Sequence, residues 1–155
     1  MLPSFQSKQS IIISAPLKTV WEYNQDLSKI SDFHPRVERV ELISGKQYRG
    51  EGVSYQCHMI DGKNTCIEKD IKVVPMERIV TVLPADTMGI TKLLPDYVVE
   101  TTFHPVSDHS TRVEIRHYYT ISKWYIRLLN LIIRPRIARQ TSKMLMAMKD
   151  KIEIK

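Results

Sequence analysis

The sequence lacks the features that mark a membrane-spanning or a secreted protein. No run of about 18 residues is continuously apolar, so no transmembrane helix is predicted. The opening residues, Met1–Ser7, have neither the basic nor the apolar region of a signal peptide. Only two cysteines occur in 155 residues, which is typical of a reducing compartment. We therefore expect a single cytoplasmic domain that spans residues 1–155.

Metal-binding and common catalytic motifs are also missing. The five histidines and two cysteines do not show the spacing of metal ligands, so no metal site is expected. The GxSxG, HExxH, P-loop and GxGxxG motifs are absent, and no cofactor is expected. These absences argue against an enzyme without excluding one.

What the sequence has in excess is positive charge near its C-terminal end. Within a net charge of +6, residues 122–155 contain nine Lys and Arg against two acidic residues, whereas residues 1–121 are nearly neutral. Such a segment is either the solvated face of a long helix or a surface for an anionic membrane or an acidic partner. Nucleic acid is not expected, because the arginines spread around the helix and no known nucleic-acid-binding fold is present.

The beginning of the chain is predicted to contain a strand and two helices. The run Ile11–Ile13 favours a half-buried strand, and Pro16 suits the first turn of a helix that ends near Asp26. A second, short helix over Lys29–Phe33 ends before Pro35, because the residue before a proline avoids the helical region.

Antiparallel strands and one long helix follow. Apolar alternation and turn residues predict strands over residues 37–43, 53–60, 65–74, 78–83, 91–104 and 111–122. The remainder, from Lys123 to about Ile152, is predicted as a helix that Pro135 kinks. An apolar stripe on this helix, with three- and four-residue steps, is expected to face the core. It consists of Trp124, Leu128, Leu131, Pro135, Ala138, Thr141, Leu145, Met148 and Ile152.

The hairpin signal at Asp61-Gly62 leaves the register of the following strand open. A two-residue turn would place the acidic Glu68 and Asp70 on the same face as Cys57 and would expose the apolar residues between them. We therefore expect a three-residue loop with a bulge that pairs Cys57 with Ile67.

This order of elements resembles the START-like, or helix-grip, superfamily of ligand-binding proteins. The segments that carry the resemblance are Ile12–Pro16 followed by Val20-Trp21, Asp26 followed by Phe33–Val37, and Tyr97–Phe103 followed by Pro105-Val106 and Thr111–Val113. The chain is most similar to the polyketide cyclase/dehydrase-like branch, which includes coenzyme-Q-binding relatives. The resemblance implies an α+β helix-grip fold, in which a curved antiparallel sheet of about six or seven strands wraps around a long C-terminal helix. Two short helices follow the first strand in that fold.

The resemblance also implies a cavity between the sheet and the long helix, and a small hydrophobic ligand such as a lipid, a quinone or a polyketide-like molecule. A curved sheet backed by one helix leaves such a space, and the apolar side chains around it form a ligand site. The expected walls are Tyr55, Cys57, Tyr97, Val99, His117 and Tyr119 from the sheet, and Leu128, Leu131 and Leu145 from the helix.

His117 and Tyr119 leave three interpretations open. They orient a bound ligand through hydrogen bonds, they act as acid and base in a polyketide cyclase or dehydratase, or they are satisfied polar groups of the core. His34, which precedes Pro35, is expected at the rim of the cavity.

The start of the terminal helix points to a third class of function. Trp124 and Tyr125 precede arginines that alternate with leucines and isoleucines, a pattern typical of peripheral membrane contact by a lipid or quinone chaperone. The arginines are equally explained as side chains at the edges of a packed helix. The oligomeric state is not predicted.

Overall fold

A computed structural model describes residues 1–154 of the chain. Seven strands form one antiparallel sheet in the order β1-β7-β6-β5-β4-β3-β2. The strands are β1 (Phe5–Ile13), β2 (Val37–Glu41), β3 (Ser54–Met59), β4 (Thr65–Val74), β5 (Arg78–Asp86), β6 (Val98–Ser107) and β7 (Ser110–Tyr118). The helices are α1 (Leu17–Gln25), α2 (Ile30–Phe33), α3 (Ile90–Leu93) and α4 (Trp124–Glu153), with a 3₁₀ turn at Leu27–Lys29.

The sheet and its helices have the predicted helix-grip arrangement. β1 pairs with β7, so the first and last strands are neighbours at one edge and β2 forms the other edge. α4 packs against β1 and α2, and α1 packs against β6 and β7. Alternate residues of the strands point toward this helical layer. On β7, for example, Val113, Ile115 and His117 are all buried.

The main core lies between the sheet, α1 and the second half of α4. Pro16 directly precedes α1, where its missing N–H has no partner to lose. The Trp21 ring on this helix meets the Phe103 ring of β6 edge-on, with 5.3 Å between the ring centroids. Leu145 and Met148 of α4 complete this core. Burial of side chains of this size stabilises a fold by about 1.5–3 kcal/mol each.

The strand predicted over residues 91–104 is wrong in its first part. β6 begins only at Val98, and Ile90–Leu93 form α3. The cause is the Asp86 carboxylate, which accepts hydrogen bonds from three backbone N–H groups between Met88 and Thr91 and from the Thr91 hydroxyl. These bonds satisfy N–H groups that a helix leaves free at its start. β5 accordingly extends to Asp86.

The predicted pairing of Cys57 with Ile67 is also wrong, because Cys57 lies opposite Cys66. The Asp61 carboxylate accepts hydrogen bonds from two backbone N–H groups of the turn, both at 2.8 Å. These bonds close a four-residue loop over residues 60–63. A four-residue loop gives the same pairing of β3 with β4 as a two-residue turn, which is the register that was rejected from the sequence. Two acidic side chains of β4 therefore point to the inner face of the sheet.

The apolar stripe predicted for the terminal helix is buried only in its second half. Trp124, Leu128 and Leu131 are exposed, and the buried face of the first turns carries Ile126 and Asn130 instead. Nearly every residue of these turns is apolar, so their periodicity fits more than one face. No helix within residues 1–154 combines enough length and apolar character to span a bilayer.

Candidate ligand-binding cavity

A cavity of about 330 Å³ lies between the sheet, α3 and the middle of α4. Its apolar wall consists of Val37, Met59, Leu83 and Val99 from the sheet, Met88, Ile90, Leu93 and Leu94 from α3 and its flanks, and Ile133 and Ile137 from α4. The polar part of the wall consists of His34, Arg36, Glu68, Tyr97 and His117, beside the thiol of Cys66. A mostly apolar lining with a few polar groups is the usual composition of a small-molecule site.

The residues predicted as cavity walls divide into three groups. Tyr97, Val99 and His117 line the cavity. Buried in the surrounding core instead are Tyr55, Cys57, Tyr119 and Leu145. The prediction for Leu128 and Leu131 is wrong, because both side chains face solvent. The opposite side of α4 faces the cavity, and Ile133 and Ile137 line the wall there.

His117 is held at both ring nitrogens. Nδ1 lies 2.9 Å from the Tyr97 hydroxyl, and Nε2 lies 2.8 Å from Oγ1 of Thr141. Thr141 donates its only hydroxyl proton to the Ile137 carbonyl at 2.8 Å, so its oxygen accepts from His117. The imidazole proton is therefore on Nε2, and Tyr97 donates to Nδ1.

Burial keeps this pair uncharged. Removal from water lowers the pKa of His117 to about 4, because the imidazolium loses its hydration. Burial also raises the pKa of the Tyr97 hydroxyl well above its ordinary value. Near neutral pH the two groups form a neutral donor–acceptor pair, which is better suited to orienting a ligand than to exchanging protons with it.

Tyr119 belongs to a different hydrogen-bond cluster. Its hydroxyl donates to Oδ1 of Asn130, whose amide donates to Oε1 of Gln6 at 3.0 Å. The Gln6 amide donates in turn to the Tyr119 carbonyl at 3.2 Å. The Tyr97 ring stacks on Tyr119 at 5.3 Å and meets His117 edge-on at 5.7 Å. The two residues considered as an acid/base pair thus bond to different partners and are linked through the Tyr97 ring.

A buried charged network beside the cavity was not predicted from the sequence. Nη1 of Arg49 donates to Oδ1 of Asp70 at 2.8 Å and to the Tyr55 hydroxyl at 2.9 Å. Tyr55 donates to Oε2 of Glu68, and the Thr81 hydroxyl donates to Oδ1 of Asp70 at 3.0 Å. These bonds offset the cost of placing charged groups away from water.

The network explains how the inner face of the sheet tolerates two carboxylates. Burial raises the pKa of Asp70, and the Arg49 charge opposes that rise. Burial also raises the pKa of Tyr55, so its hydroxyl remains a donor. The sequence signal was the alternation of Cys66, Glu68 and Asp70, which served as the reason to reject this register. Glu68 ends the network at the cavity, where it is the single carboxylate in the wall formed by residues 1–154.

An open space of about 530 Å³ adjoins the cavity and shares His34, Tyr97 and His117 with its wall. We interpret this space as the mouth of the cavity. Arg136, Arg139 and Lys143 of α4 line it together with Arg36, and no acidic residue of the described chain takes part. His34 lies half-buried where the mouth meets the cavity. Burial, and then the Arg36 charge, lower the pKa of His34 to about 4. Because His34 is neutral near pH 7, the positive charge of the mouth comes from its arginines and its lysine.

The two cysteines show no sign of metal or redox chemistry. Cys57 and Cys66 lie opposite each other on β3 and β4, and both thiols are free and buried. Burial raises the pKa of both thiols, which keeps them protonated and weakly reactive. Within residues 1–154, no group of three or more His, Cys, Asp or Glu side chains is arranged to hold a metal ion.

Comparison with known families bears on this fold. The model of a family described as polyketide cyclase / dehydrase and lipid transport matches residues 4–153. The chain belongs to this family. The match includes every strand and helix from β1 to α4, so the resemblance noted in the sequence is confirmed. Among curated proteins, no match is found.

Solved structures share the helix-grip fold of this family member. A START superfamily protein from Mycobacterium smegmatis has a TM-score of 0.75 at 10% identity, with 97% of this chain and 98% of that chain covered. The Zhui aromatase/cyclase from Streptomyces sp. R1128 has a TM-score of 0.73 at 15% identity, with 95% and 92% covered. Norcoclaurine synthase from Thalictrum flavum, as a point mutant with a transition-state analogue, has a TM-score of 0.73 at 16% identity, with 94% and 92% covered. At these identities the likeness shows the fold alone.

Proposed function

We propose that this family member binds one small hydrophobic ligand in the cavity and does not catalyse a reaction on it. The observation that carries the proposal is the cavity of about 330 Å³, lined mainly by aliphatic side chains of the sheet, α3 and α4. This volume falls within the range of small-molecule sites, about 300–1,000 Å³. Transfer of a ligand from water to this wall is favoured by about 25 cal/mol per Å² of apolar surface buried.

Two polar points on the wall support a ligand that carries a hydrogen-bond donor. Among residues 1–154, the Glu68 carboxylate has one hydrogen-bond donor, the Tyr55 hydroxyl, which bonds to Oε2. Oε1 is left to accept a bond from a ligand hydroxyl or amine. Tyr97 and His117 supply the second polar point. The ligand class that fits is an apolar molecule with a donor group, such as a phenol, a quinol or a hydroxylated polyketide.

The state of His117 supports binding without catalysis. Both of its ring nitrogens are bonded, to Tyr97 and to Thr141, and the lowered pKa leaves no proton on Nδ1. Acid/base work by His117 with Tyr119, as a cyclase or dehydratase would require, would first have to break these bonds.

Filling the cavity tests the proposed function. Val99→Trp places an indole at the wall. We expect it to abolish one-site binding of the dye 1-anilinonaphthalene-8-sulfonate, whose aromatic rings are apolar, in a fluorescence titration. Ile60→Trp adds a similar bulk at an exposed turn residue and should bind the dye normally. Leu93→Trp fills the cavity from α3, and circular dichroism checks that each variant folds. One-site binding that survives in both folded cavity variants would exclude the cavity as the binding site.

A further inference from the structure

The first turns of α4 carry large apolar side chains on the side that faces away from the core. Trp124, Leu128 and Leu131 follow one another at four- and three-residue steps, with Ile132 beside them. Their side chains are 75%, 59%, 75% and 57% exposed. We call these four residues the apolar ridge.

The ridge is unusual because the opposite side of the same turns is apolar as well. Ile126 is buried in the core, and Ile133 and Ile137 line the cavity. A helix segment that carries large apolar side chains on two opposite sides is normally covered on both. Large exposed apolar patches on a protein mark interaction sites. We therefore expect the ridge to be covered in its working state, either by lipid or by another molecule.

The charged residues of α4 on and beside the turns of the ridge are all of one sign. Arg127 and Arg134 lie on the turns of the ridge, and Arg136 and Arg139 lie on the turns that follow, at the cavity mouth. Residues 115–149 include no Asp or Glu. An apolar strip that is flanked along its own helix by cations and by no carboxylate complements a surface that is apolar within and anionic at its boundary.

We propose that the apolar ridge inserts into an anionic membrane surface, with the flanking arginines on the lipid phosphates. The side chains of Trp124 and Tyr125 at the start of α4 combine an apolar ring with a polar N–H or O–H group, which suits the boundary between lipid and water. A second copy of the chain fits less well, because a two-fold contact through the ridge would place Arg127 and Arg134 close to the same cations of the other copy. The proposal does not depend on which ligand the cavity holds.

The position of the ridge next to the cavity mouth suits transfer of a ligand between a membrane and the cavity. Ile132, the last residue of the ridge, is one helical turn from Arg136 at the mouth, a distance of about 5–6 Å along the helix. Docking through the ridge therefore brings the mouth to the lipid boundary. A hydrophobic ligand then passes between the bilayer and the cavity without crossing bulk water.

Co-sedimentation of the full chain with lipid vesicles tests the proposal. We expect binding to vesicles of phosphatidylcholine and phosphatidylglycerol that weakens as salt is added, and little binding to phosphatidylcholine alone. Leu128→Gln with Leu131→Gln should lower the affinity about tenfold or more, because the inserted apolar surface is lost. Arg127→Gln with Arg134→Gln should lower it about fivefold for each arginine removed.

Matched controls lie away from α4. Ile60→Gln changes an equally exposed apolar residue, and Lys46→Gln with Lys63→Gln removes two exposed charges, so both should bind vesicles like the unmodified protein. Val99→Trp, which fills the cavity, should also bind vesicles like the unmodified protein. This variant distinguishes vesicle binding by the ridge from ligand binding in the cavity. Absence of binding to anionic vesicles, equal binding to both vesicle types, or unchanged binding by the ridge variants overturns the proposal. A dimer in light scattering that the leucine variants convert to a monomer also overturns it and assigns the ridge to a second copy.

Discussion

The Tyr97 hydroxyl donates a hydrogen bond to Nδ1 of His117 across 2.9 Å and so joins the residue before β6 to β7 at the cavity wall. The bond requires a lone pair on Nδ1, which a protonated imidazole does not have. The shape of this part of the wall is therefore coupled to the charge of His117. Acid that protonates this residue removes the acceptor of this bond and places a positive charge in a buried site, which works against the folded state.

The free energy of unfolding should decrease as the pH falls from about 6.5 to about 4. The pKa of His117 is about 4 in the folded chain, compared with 6.5 for an ordinary, solvated histidine. As the pH falls, the unfolded chain therefore binds a proton at this residue first and becomes more favoured. Above pH 6.5 this histidine is neutral in both states and its full contribution is present. The contribution is lost between about pH 6.5 and about pH 4, below which the residue is protonated in both states. The difference amounts to about 3 kcal/mol.

Urea unfolding at several pH values measures this decrease. The pKa of His34 is also lowered to about 4, so His117→Gln should remove part of the pH dependence and not all of it. His109→Gln, at an exposed turn, is the matched control and should keep the dependence of the unmodified protein. The same slope in His117→Gln as in the unmodified protein would show that this histidine is not held neutral by burial.

Removing Arg49 alone should destabilise the fold more than removing both charges of its ion pair with Asp70. Arg49→Met leaves a fully buried carboxylate without its cation, and breaking a buried pair in this way costs about 3–5 kcal/mol. In Arg49→Met with Asp70→Asn neither charge of the pair is left, so part of the loss should be recovered.

A double-mutant cycle from urea unfolding quantifies the coupling between these two residues. Arg112→Met, at an exposed site on β7, should change the free energy of unfolding by less than about 0.5 kcal/mol. Strictly additive effects of the two substitutions would mean that the 2.8 Å contact carries no coupling energy.

Glu68 should favour ligands that donate a hydrogen bond. We expect 2-naphthol to displace the fluorescent dye more effectively than 2-methoxynaphthalene, because only 2-naphthol has a hydroxyl group that can donate a hydrogen bond to Oε1 of Glu68. A bond to a charged group contributes about 1.5–3 kcal/mol and a neutral one about 0.5–1.5 kcal/mol, so Glu68→Gln should reduce the preference. Glu77→Gln, at an exposed site, should retain it. An identical preference in Glu68→Gln would remove Glu68 from the ligand contacts.

Asp86→Ala should loosen the wall that α3 forms. The substitution removes all four hydrogen bonds that the carboxylate accepts around the start of this helix, and losses of such capping contacts cost about 0.5–2 kcal/mol. Amide hydrogen exchange of residues 88–91 should become faster, and dye affinity should fall because Ile90 and Leu93 line the cavity. Asp108→Ala, in the exposed turn between β6 and β7, is the matched control. Unchanged exchange in Asp86→Ala would mean that other contacts hold α3.

The parts of the fold that were predictable are those where local signals agree. Ile11–Ile13 favour a strand, Pro16 favours a helix start, and Trp21 falls on the buried face of that helix. The alternation over Val113, Ile115 and His117 likewise assigned the inner face of β7 correctly. Each of these segments has one interpretation that satisfies both backbone preference and burial.

The parts that were not predictable depend on distant contacts. The register of β4 follows from the Asp61 loop, and the buried Asp70 it creates is neutralised by Arg49, which is far from it in the chain. The buried face of α4 is ambiguous in the sequence because large apolar residues lie on more than one side of its first turns. In the structure the Tyr119 hydroxyl donates to Asn130 on the side that is buried. Glu68 entered the cavity only as a consequence of that register.

Native mass spectrometry of the purified protein, before and after organic extraction, is the decisive test of ligand binding in the cavity. We expect an excess mass of one small molecule per chain, which extraction removes and which the folded Val99→Trp variant lacks. The bare polypeptide mass before extraction, together with no saturable uptake of an added phenol or quinol by the folded protein, would contradict the assignment of the cavity as a ligand-binding site.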